Sequence, residues 1–346
     1  MSFAAPLRLR LDSEALIANW RAMAALSGNA QTGAAVKADA YGLGALEVVP
    51  RLWQAGCRDF FVAHWGEAEA LADLIPTSSI AVLNGITEQD VAPAMELGAA
   101  PVLNTPHQIA LWKAANGGRC HVMLDSGINR LGIGPEQLSS RLIEGLDIDI
   151  LLTHLASADE DVPQNAQQLA RFIAMSEGIS ATRRSMANSA GVALGSDYHF
   201  DLTRPGLALY GGAAHSHLRS SISQVVQPQA RILQIRDVAA GKGVGYNATY
   251  TAQKDTTVAT LAIGYADGYF RGFSNSGSVR IDGVECPVLG RVSMDLITVD
   301  ISAVPSPAEG DWCDINFELG NASRSSGVSQ YELLTGLSRR AERLWL

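Results

Sequence analysis

Lys37 of this 346-residue chain stands at a position typical of a reactive amine, directly after a short apolar run. Lys37 ends the apolar run 33–36 and comes just before the glycine-containing turn 41–44. An amine at the end of a buried strand is partly desolvated, which lowers its pKa and allows it to form an imine with a carbonyl compound. A lysine that extends from a strand end into solvent has the same pattern, so position alone leaves both interpretations open. Lysine is otherwise scarce, and the remaining three are Lys113, Lys242 and Lys254.

Three more polar residues stand beside apolar runs in the same way. His154 follows the run 150–153, Arg130 follows a run through a glycine turn, and Arg204 precedes Pro205 and Gly206. Arginine in such a setting suits bidentate recognition of a carboxylate or a phosphate, although a surface ion pair fits equally well. A lone histidine is more often structural than catalytic. The segments 188–191 and 204–207 offer hydroxyl and backbone N–H donors of the kind that bind phosphate in barrel enzymes.

Composition and missing motifs exclude several classes of protein. The net charge of −9 argues against nucleic acid or an acidic membrane surface as a partner, and no apolar run approaches the ~18 residues of a membrane span. The first ten residues lack the pattern of a signal peptide. The cysteines, Cys57, Cys120, Cys286 and Cys313, are far apart and predict neither a zinc site nor a disulfide framework. No nucleotide-binding glycine loop, zinc-protease motif or hydrolase elbow is present. We therefore predict a cytoplasmic protein without a metal.

The first two thirds of the chain alternate short apolar runs with helix-like stretches. An example of the latter is 164–182, with apolar residues at Leu169, Phe172, Ile173 and Met175. Eight buried strands separated by helices favour an α/β fold of the closed (β/α)8 TIM-type, with an open doubly wound sheet as the alternative. The eight runs are 34–36, 60–62, 80–83, 101–103, 121–124, 148–152, 185–187 and 207–210.

After about residue 222 the pattern becomes that of β structure. The predicted strands lie at 225–237, 256–263, 278–286 and 296–301, and Asp282-Gly283 is a hairpin turn signal. A helix pattern returns at 329–343, and the N-terminal strand 7–11 could pair with either part. We predict a barrel at 10–222 and a mainly antiparallel β domain made of 1–9 with 223–346.

The second part also carries three motifs in which a tyrosine or an arginine stands beside glycine, at 244–250, 263–268 and 290–295. Such tyrosines reach into clefts in some proteins, although packing is their commoner role. Together with the motifs at 35–42, 154, 204–206 and 331–335, these segments resemble alanine racemases, which are fold-type-III pyridoxal-phosphate enzymes. The match runs almost from end to end, and the motifs occur in the family's order.

This resemblance implies a site built on pyridoxal 5'-phosphate (PLP) in the barrel. Lys37 would hold the cofactor covalently, Arg204 would face its pyridine nitrogen, and His154 would pack against its ring. The phosphate group would be bound by Tyr41, Asn188, Ser189, Tyr331 and the backbone of Gly206 and Leu207. Arg130 and the backbone of Met294 would orient the substrate carboxylate.

The resemblance also implies a homodimer with shared active sites, in which the β domain contributes to the site of the partner subunit. Tyr246 would come from the partner as the second base, and Tyr265 would narrow the entrance. The entrance corridor would further include Asp159, Arg271 and Arg291. Lys37 would serve the D face of the substrate and Tyr246 the L face.

The implied reaction is the interconversion of L-alanine and D-alanine, either to supply D-alanine for peptidoglycan or to break it down. Two bases explain racemisation, because one removes the α-proton from one face and the other returns a proton to the opposite face. An arginine at the pyridine nitrogen donates a hydrogen bond without protonating it, which makes the cofactor a weaker electron sink and limits side reactions. The alternatives are a racemase of the same fold for serine, lysine or several amino acids, and a non-catalytic PLP carrier.

One position departs from the family pattern. Many members carry a carbamylated lysine seven residues before the carboxylate-binding arginine, where this chain has Met123. A methionine cannot be carbamylated. We therefore expect another group, an anion or a different acidic side chain, to hold Arg130.

Overall fold

A computed structural model describes residues 3–346, which form two compact units. The barrel unit comprises residues 16–223, and the β unit comprises residues 3–15 with 224–346. Met1 and Ser2, which the sequence analysis assigns to the β domain, lie outside the described residues.

The barrel unit is built on seven parallel strands that pair in sequence order. Most of their residues are buried, as expected of parallel strands covered on both faces. Because parallel neighbours need a crossover, each connection carries a helix or a long turn. The strands are Ala34–Ala35, Phe60–Val62, Ile80–Val82, Ala100–Leu103, Cys120–Met123, Ile148–Leu152 and Arg183–Ser185.

An eighth parallel segment, Leu202–Thr203, closes the barrel. It pairs with Gln31–Thr32, the short strand just before Ala34–Ala35. The N–H of Gly33 donates to the carbonyl of Thr203 at 2.9 Å. On the other side the N–H of Arg204 donates to the carbonyl of Ala187 at 2.8 Å. The closed barrel predicted from the sequence is confirmed, and the open sheet is wrong.

The eighth strand lies earlier than predicted. Leu207–Tyr210 is a 3₁₀-helix that begins after Gly206 and ends at Gly211, whose φ is +95°. Its four residues are fully buried, so the apolar run correctly indicated burial. A short buried run does not distinguish strand from helix by periodicity, which is why the prediction failed.

Helices connect and cover the strands of the barrel unit. Phe172, on the helix Pro163–Ser176, is completely buried in the barrel core, while Ile173 on the same helix is exposed. The helix predicted at 164–182 therefore ends earlier, before Gly178, whose φ is +76°. The other α-helices are Ser13–Leu26, Ala45–Ala55, Trp65–Glu69, Val91–Leu97, Pro106–Ala114, Ser140–Ile143 and Ser189–Val192, and Lys37–Tyr41 is a special turn described below.

A charged cluster ties the starts of the barrel strands together, at the end opposite Lys37. Arg183 donates to both Asp59 and Asp149, with N–O distances of 2.9 Å. Burial alone would raise the pKa of Asp149, but the hydrogen bonds and charge of Arg183 outweigh it and hold that pKa below its usual value. Polar groups at this end of such a barrel serve stability rather than chemistry.

The β unit is a mainly antiparallel sheet, as predicted. The N-terminal strand Leu7–Leu11 pairs antiparallel with Val226–Val238 and parallel with Glu342–Trp345. The predicted hairpin is present, with positive φ at Asp282 and Gly283, as a type I′ turn requires. The remaining strands are Gly243–Val244, Tyr250–Thr251, Thr256–Leu261, Ser278–Ile281, Val284–Pro287, Ile297–Asp300 and Trp312–Ile315.

The C-terminal helix is much shorter than predicted. Ser329 and Glu332 form a capping box that begins the helix Gln330–Thr335, but the chain then turns and ends as the strand Glu342–Trp345. Pairing with the N-terminal strand, more than three hundred residues away in the sequence, overrides the local helix pattern. A second helix, Leu319–Ser326, was not predicted. None of the helices in residues 3–346 combines the length and apolar character needed to cross a bilayer.

Candidate active site

Lys37 lies where the first barrel strand ends, at the edge of the barrel where active sites of this fold occur. The four residues after it, 38–41, all adopt left-handed backbone angles, with φ between +52° and +56°. Non-glycine residues avoid this conformation because it costs roughly 1–2 kcal/mol per residue. Strain of this kind persists only where surrounding contacts enforce it, and such contacts cluster at functional sites.

The electrostatic surroundings of Lys37 favour its neutral amine. Burial lowers the pKa of Lys37, and the positive charge of Arg130 lowers it further. The carboxylate of Glu67 acts in the opposite direction, and Arg204 again lowers the pKa. A neutral amine is both a nucleophile and a base, whereas an ammonium is neither.

Arg204 and His154 lie in the same part of the barrel unit. The buried guanidinium of Arg204 donates to the carbonyl of Thr153 at 2.7 Å and to the hydroxyl of Ser185. Burial lowers the pKa of Arg204 to about 10, so the group is still protonated at neutral pH. Burial, aided by the charge of Arg204, lowers the pKa of His154 to about 3. The site therefore pairs a cationic arginine with a neutral imidazole.

The Ser189 hydroxyl is hydrogen-bonded to the segment after Arg204. The Ser189 hydroxyl oxygen accepts the N–H of Gly206 at 2.9 Å and the N–H of Ala208 at 3.1 Å, which leaves its own hydrogen to donate. Asn188 caps the short helix Ser189–Val192 by accepting the N–H of Gly191 at 2.8 Å. Leu207, in the same segment as Gly206, is buried.

Tyr41 reaches the same place from the left-handed turn. Its ring stacks on that of Tyr210 at a centroid distance of 4.8 Å, and the Tyr210 hydroxyl donates to the carbonyl of Ala35 at 2.8 Å. A Cβ added to Gly206 would lie only 2.3 Å from the Tyr41 hydroxyl oxygen. The structure thus brings Tyr41, Ser189 and Gly206 together.

Gly206→Ala should therefore lower the free energy of unfolding by about 1–3 kcal/mol, the usual cost of an extra methyl group in a filled site. Tyr41 is buried against Tyr210 and cannot move away freely. Urea unfolding measures the loss, and Gly118→Ala is the matched control because its Cβ would meet nothing within 4 Å. In the Tyr41→Phe background, which lacks the clashing oxygen, the cost should be smaller. An equal cost in both backgrounds would contradict this contact.

Arg130 is presented by a loop that an aspartate organises. The carboxylate of Asp125 accepts the N–H groups of Gly127, Asn129 and Arg130 at 2.8–3.2 Å. The Arg130 guanidinium is exposed and has no hydrogen bond or ion pair within residues 3–346. Met123 is buried in its strand. No acidic side chain of the described residues takes the place of the carbamylated lysine.

In the β unit Tyr265 and Met294 come together, and Tyr246 follows Gly245, whose backbone approaches Arg291, three residues before Met294. We call Tyr246, Tyr265 and Met294 the tyrosine surface. The N–H of Tyr265 donates to the carbonyl of Ser293 at 3.0 Å, and a Cβ at Gly264 would lie 2.4 Å from the carbonyl oxygen of Met294. Tyr246 is 69% exposed and Met294 is 55% exposed. Exposed apolar side chains mark an interaction site when they are grouped.

The other predicted residues of the β unit lie near this surface or on a separate helix. The guanidinium of Arg271 lies over the ring of Tyr265 at 5.0 Å. The backbone of Arg291 passes next to Gly245, the residue before Tyr246, because a Cβ at Gly245 would lie 3.7 Å from the Arg291 nitrogen. Tyr331 is part of the helix Gln330–Thr335 and is 41% exposed. Asp159, in the barrel unit, is exposed in a loop.

Residues that were not predicted as part of the site hold these groups in place. Ser185 and Thr153 anchor Arg204, and Glu67 lies beside Lys37. In the β unit Arg340 pairs with Asp267 and Asp295, at 2.6 Å in each case. It thereby joins the loop that carries Tyr265 to the loop that carries Met294. Their position in the sequence could have indicated two of these residues, because Glu67 and Thr153 also follow barrel strands. In residues 3–346 no group of three histidine, cysteine or acidic side chains is placed to hold a metal ion.

Comparison with known proteins identifies the family. Residues 11–214 match the family model described as the alanine racemase N-terminal domain, and residues 225–345 match that of the alanine racemase C-terminal domain. The chain belongs to the alanine racemase family. The chain is 41% identical to the catabolic alanine racemase of Agrobacterium fabrum. The alignment covers 98% of this chain and 92% of the relative.

Two other alanine racemases extend the comparison. The biosynthetic alanine racemase of Agrobacterium fabrum is 39% identical over 99% of this chain and 94% of its own length. The crystal structure of the Bartonella henselae alanine racemase, with covalently bound pyridoxal phosphate, aligns with a TM-score of 0.93 at 35% identity and covers 99% of this chain and 100% of that one. Because a catabolic and a biosynthetic alanine racemase match about equally well, identity does not separate these two roles.

Proposed function

We propose that this protein is a PLP-dependent alanine racemase that interconverts L-alanine and D-alanine. The observation that carries the proposal is the lysine at the barrel end, whose pKa is lowered and which lies within electrostatic reach of Arg130 and Arg204, in a chain that matches both domains of the family. Barrel active sites draw their residues from this edge, and a lysine whose pKa is lowered there is suited to bind a carbonyl cofactor.

The donors of the barrel unit fit PLP. Ser189 has a hydroxyl hydrogen free to donate, and Tyr41 stands beside it, which suits a phosphate group. Neutral His154 suits packing against a flat ring, and buried Arg204 suits a hydrogen bond to an unprotonated ring nitrogen. Asn188, Gly206, Leu207 and Tyr331 complete the proposed phosphate site.

PLP, when bound, supplies an electron-withdrawing ring that acidifies the α C–H of an attached amino acid. The protein supplies the two groups that move the proton. The Lys37 amine exchanges a proton with one face of the α-carbon, and the Tyr246 hydroxyl exchanges a proton with the other. Arg130 and the backbone N–H of Met294, which has no hydrogen-bond partner within residues 3–346, orient the substrate carboxylate.

The protein acts as a homodimer with shared sites, in which Tyr246 and Tyr265 serve the site of the partner subunit. The exposure of the tyrosine surface supports this arrangement, because Tyr246 and Met294 are large apolar side chains left largely uncovered in a single chain. Asp159, Arg271 and Arg291 line the entrance, where charged groups attract a zwitterionic amino acid. All four cysteines are free, which supports the cytoplasmic location proposed for the protein.

The purified full-length protein, supplied with PLP, should form D-alanine from L-alanine and the reverse, ending at equal amounts of both. Serine and lysine, offered at the same concentration, test for a broader racemase. Mixing Lys37→Ala chains with Tyr246→Phe chains tests the shared site, because a heterodimer then contains one site with both defects and one with neither. Activity should reappear on mixing. Binding of PLP without racemisation of any amino acid would overturn the proposal and favour a carrier.

A further inference from the structure

Glu67 joins the ends of the first two barrel strands next to Lys37. It belongs to the helix Trp65–Glu69, which follows the second strand. One carboxylate oxygen accepts the N–H of Ala38 at 2.6 Å, and the other accepts the N–H of Ala63 at 2.7 Å. Ala38 directly follows Lys37, and Ala63 directly follows the strand Phe60–Val62. A single side chain therefore connects the two strand ends.

The left-handed turn after Lys37 needs such anchors, because its four residues are in an unfavourable conformation. Its far end is anchored by Asp39, whose carboxylate accepts the N–H of Ala45 at 2.8 Å and whose carbonyl accepts the N–H of Gly44 at 2.9 Å. These bonds fix the end of the turn that is farther from Lys37. Glu67 instead fixes Ala38, the first residue of the turn, which is bonded directly to Lys37.

Glu67 is also the negative charge that balances the cations around Lys37. Arg130 and Arg204 both oppose the protonated amine, whereas the carboxylate of Glu67 favours that form. His154, which also lies within electrostatic reach of Lys37, is neutral. The carboxylate of Asp39 is turned to the N–H of Ala45 at the other end of the turn.

We propose that Glu67 is the positioning residue of the Lys37 amine: its carboxylate holds the left-handed turn that presents Lys37 and provides the counter-charge that tunes the amine between base and acid. A group that must both remove and return a proton works best when its pKa is near the operating pH. Without Glu67, the two arginines would depress the proton affinity of Lys37 further. The catalytic use of the Lys37 amine rests on the proposed function, whereas its position and its proton affinity do not.

The test compares Glu67→Gln and Glu67→Asp with wild type, using the full-length chain freed of PLP. The pH dependence of Lys37 acetylation by acetic anhydride, read by peptide mass spectrometry, reports the proton affinity of the amine directly. Glu67→Gln should move the midpoint to lower pH, because an anion beside the ammonium is lost. Glu69→Gln is the matched control, since it removes the same charge from the same helix without the two N–H contacts, and should leave the midpoint unchanged.

Rebinding of PLP gives the second measurement. Glu67→Asp keeps the charge but is too short to accept both N–H groups, so PLP should bind roughly tenfold more weakly while the acetylation midpoint stays close to wild type. Circular dichroism verifies the fold, and if Glu67→Gln does not fold, the PLP affinity of Glu67→Asp decides. An unchanged Lys37 midpoint in folded Glu67→Gln, or unchanged PLP affinity in Glu67→Asp, would overturn the proposal. Racemisation is assayed separately, so a chain that shows the midpoint shift but does not racemise contradicts the proposed function and not the role of Glu67.

Discussion

Replacement of Lys37 by alanine is expected to abolish racemisation, with a loss of at least ~10⁴-fold, because one residue supplies both the attachment point of PLP and one of the two bases. Among the lysines of residues 3–346, Lys37 is the one that stands directly after a barrel strand, and burial and the charge of Arg130 lower its pKa. The variant should also lose the yellow colour of the PLP-loaded protein. Borohydride reduction of the wild type, followed by peptide mapping, should place the label on Lys37.

The control for this experiment is Lys254→Ala, which removes an exposed lysine of the β unit. It should keep both colour and activity. Label on Lys113, Lys242 or Lys254 after reduction, or racemisation by the Lys37→Ala protein, would show that the attachment point is elsewhere.

Tyr246→Phe is expected to stop net racemisation while leaving half of the chemistry intact. Phenylalanine keeps the exposed ring and loses only the hydroxyl, so PLP binding and colour should persist. If Lys37 serves the D face and Tyr246 the L face, the variant should still exchange the α-proton of D-alanine with solvent deuterium. Exchange from L-alanine should fall by ~10²–10⁴-fold, the usual cost of losing one acid or base. Proton NMR in deuterium oxide measures both rates.

A matched control is Tyr250→Phe, four residues further along the chain, whose ring packs with Val244, Val258 and Leu289. It should exchange both enantiomers as the wild type does. The final ratio of L-alanine to D-alanine must be unchanged in every variant, because an enzyme cannot alter the equilibrium of a mirror-image pair. Equal loss of exchange for the two enantiomers by Tyr246→Phe would make Tyr246 a positioning residue and leave the second base unassigned.

The effects expected of Lys37→Ala and Tyr246→Phe arise in different parts of the molecule, so further variants can change one without the other. Lys37 lies in the barrel unit among charged groups that change its proton affinity, whereas Tyr246 lies on an exposed surface of the β unit. A change near Lys37, such as Glu67→Gln, should alter the pH dependence of D-face exchange. A change on the tyrosine surface should alter L-face exchange and its dependence on subunit mixing.

The class of fold and the position of Lys37 follow from local patterns in the sequence. Short apolar runs separated by helical patterns indicate buried parallel strands, because only residues covered on both faces can be apolar throughout. Seven of the eight predicted runs overlap or adjoin strands of the barrel sheet, and Lys37 lies just after the first strand. The ordered motifs at 35–42, 204–206 and 290–295 were specific enough to indicate the family, which the comparisons confirm.

Features that depend on partners far apart in the sequence are set by the tertiary fold. The last barrel strand is Leu202–Thr203 because it pairs with Gln31–Thr32, and the chain ends as a strand because it pairs with Leu7–Leu11. The left-handed turn after Lys37 cannot be expected from its alanine-rich sequence, since alanine favours the right-handed helix. It is anchored by Glu67, twenty-nine residues away from Ala38, just as Arg204 is anchored by Thr153, fifty-one residues away. Local patterns report burial and periodicity, but the partners of a buried polar group are set only when the chain folds, and those partners orient the site.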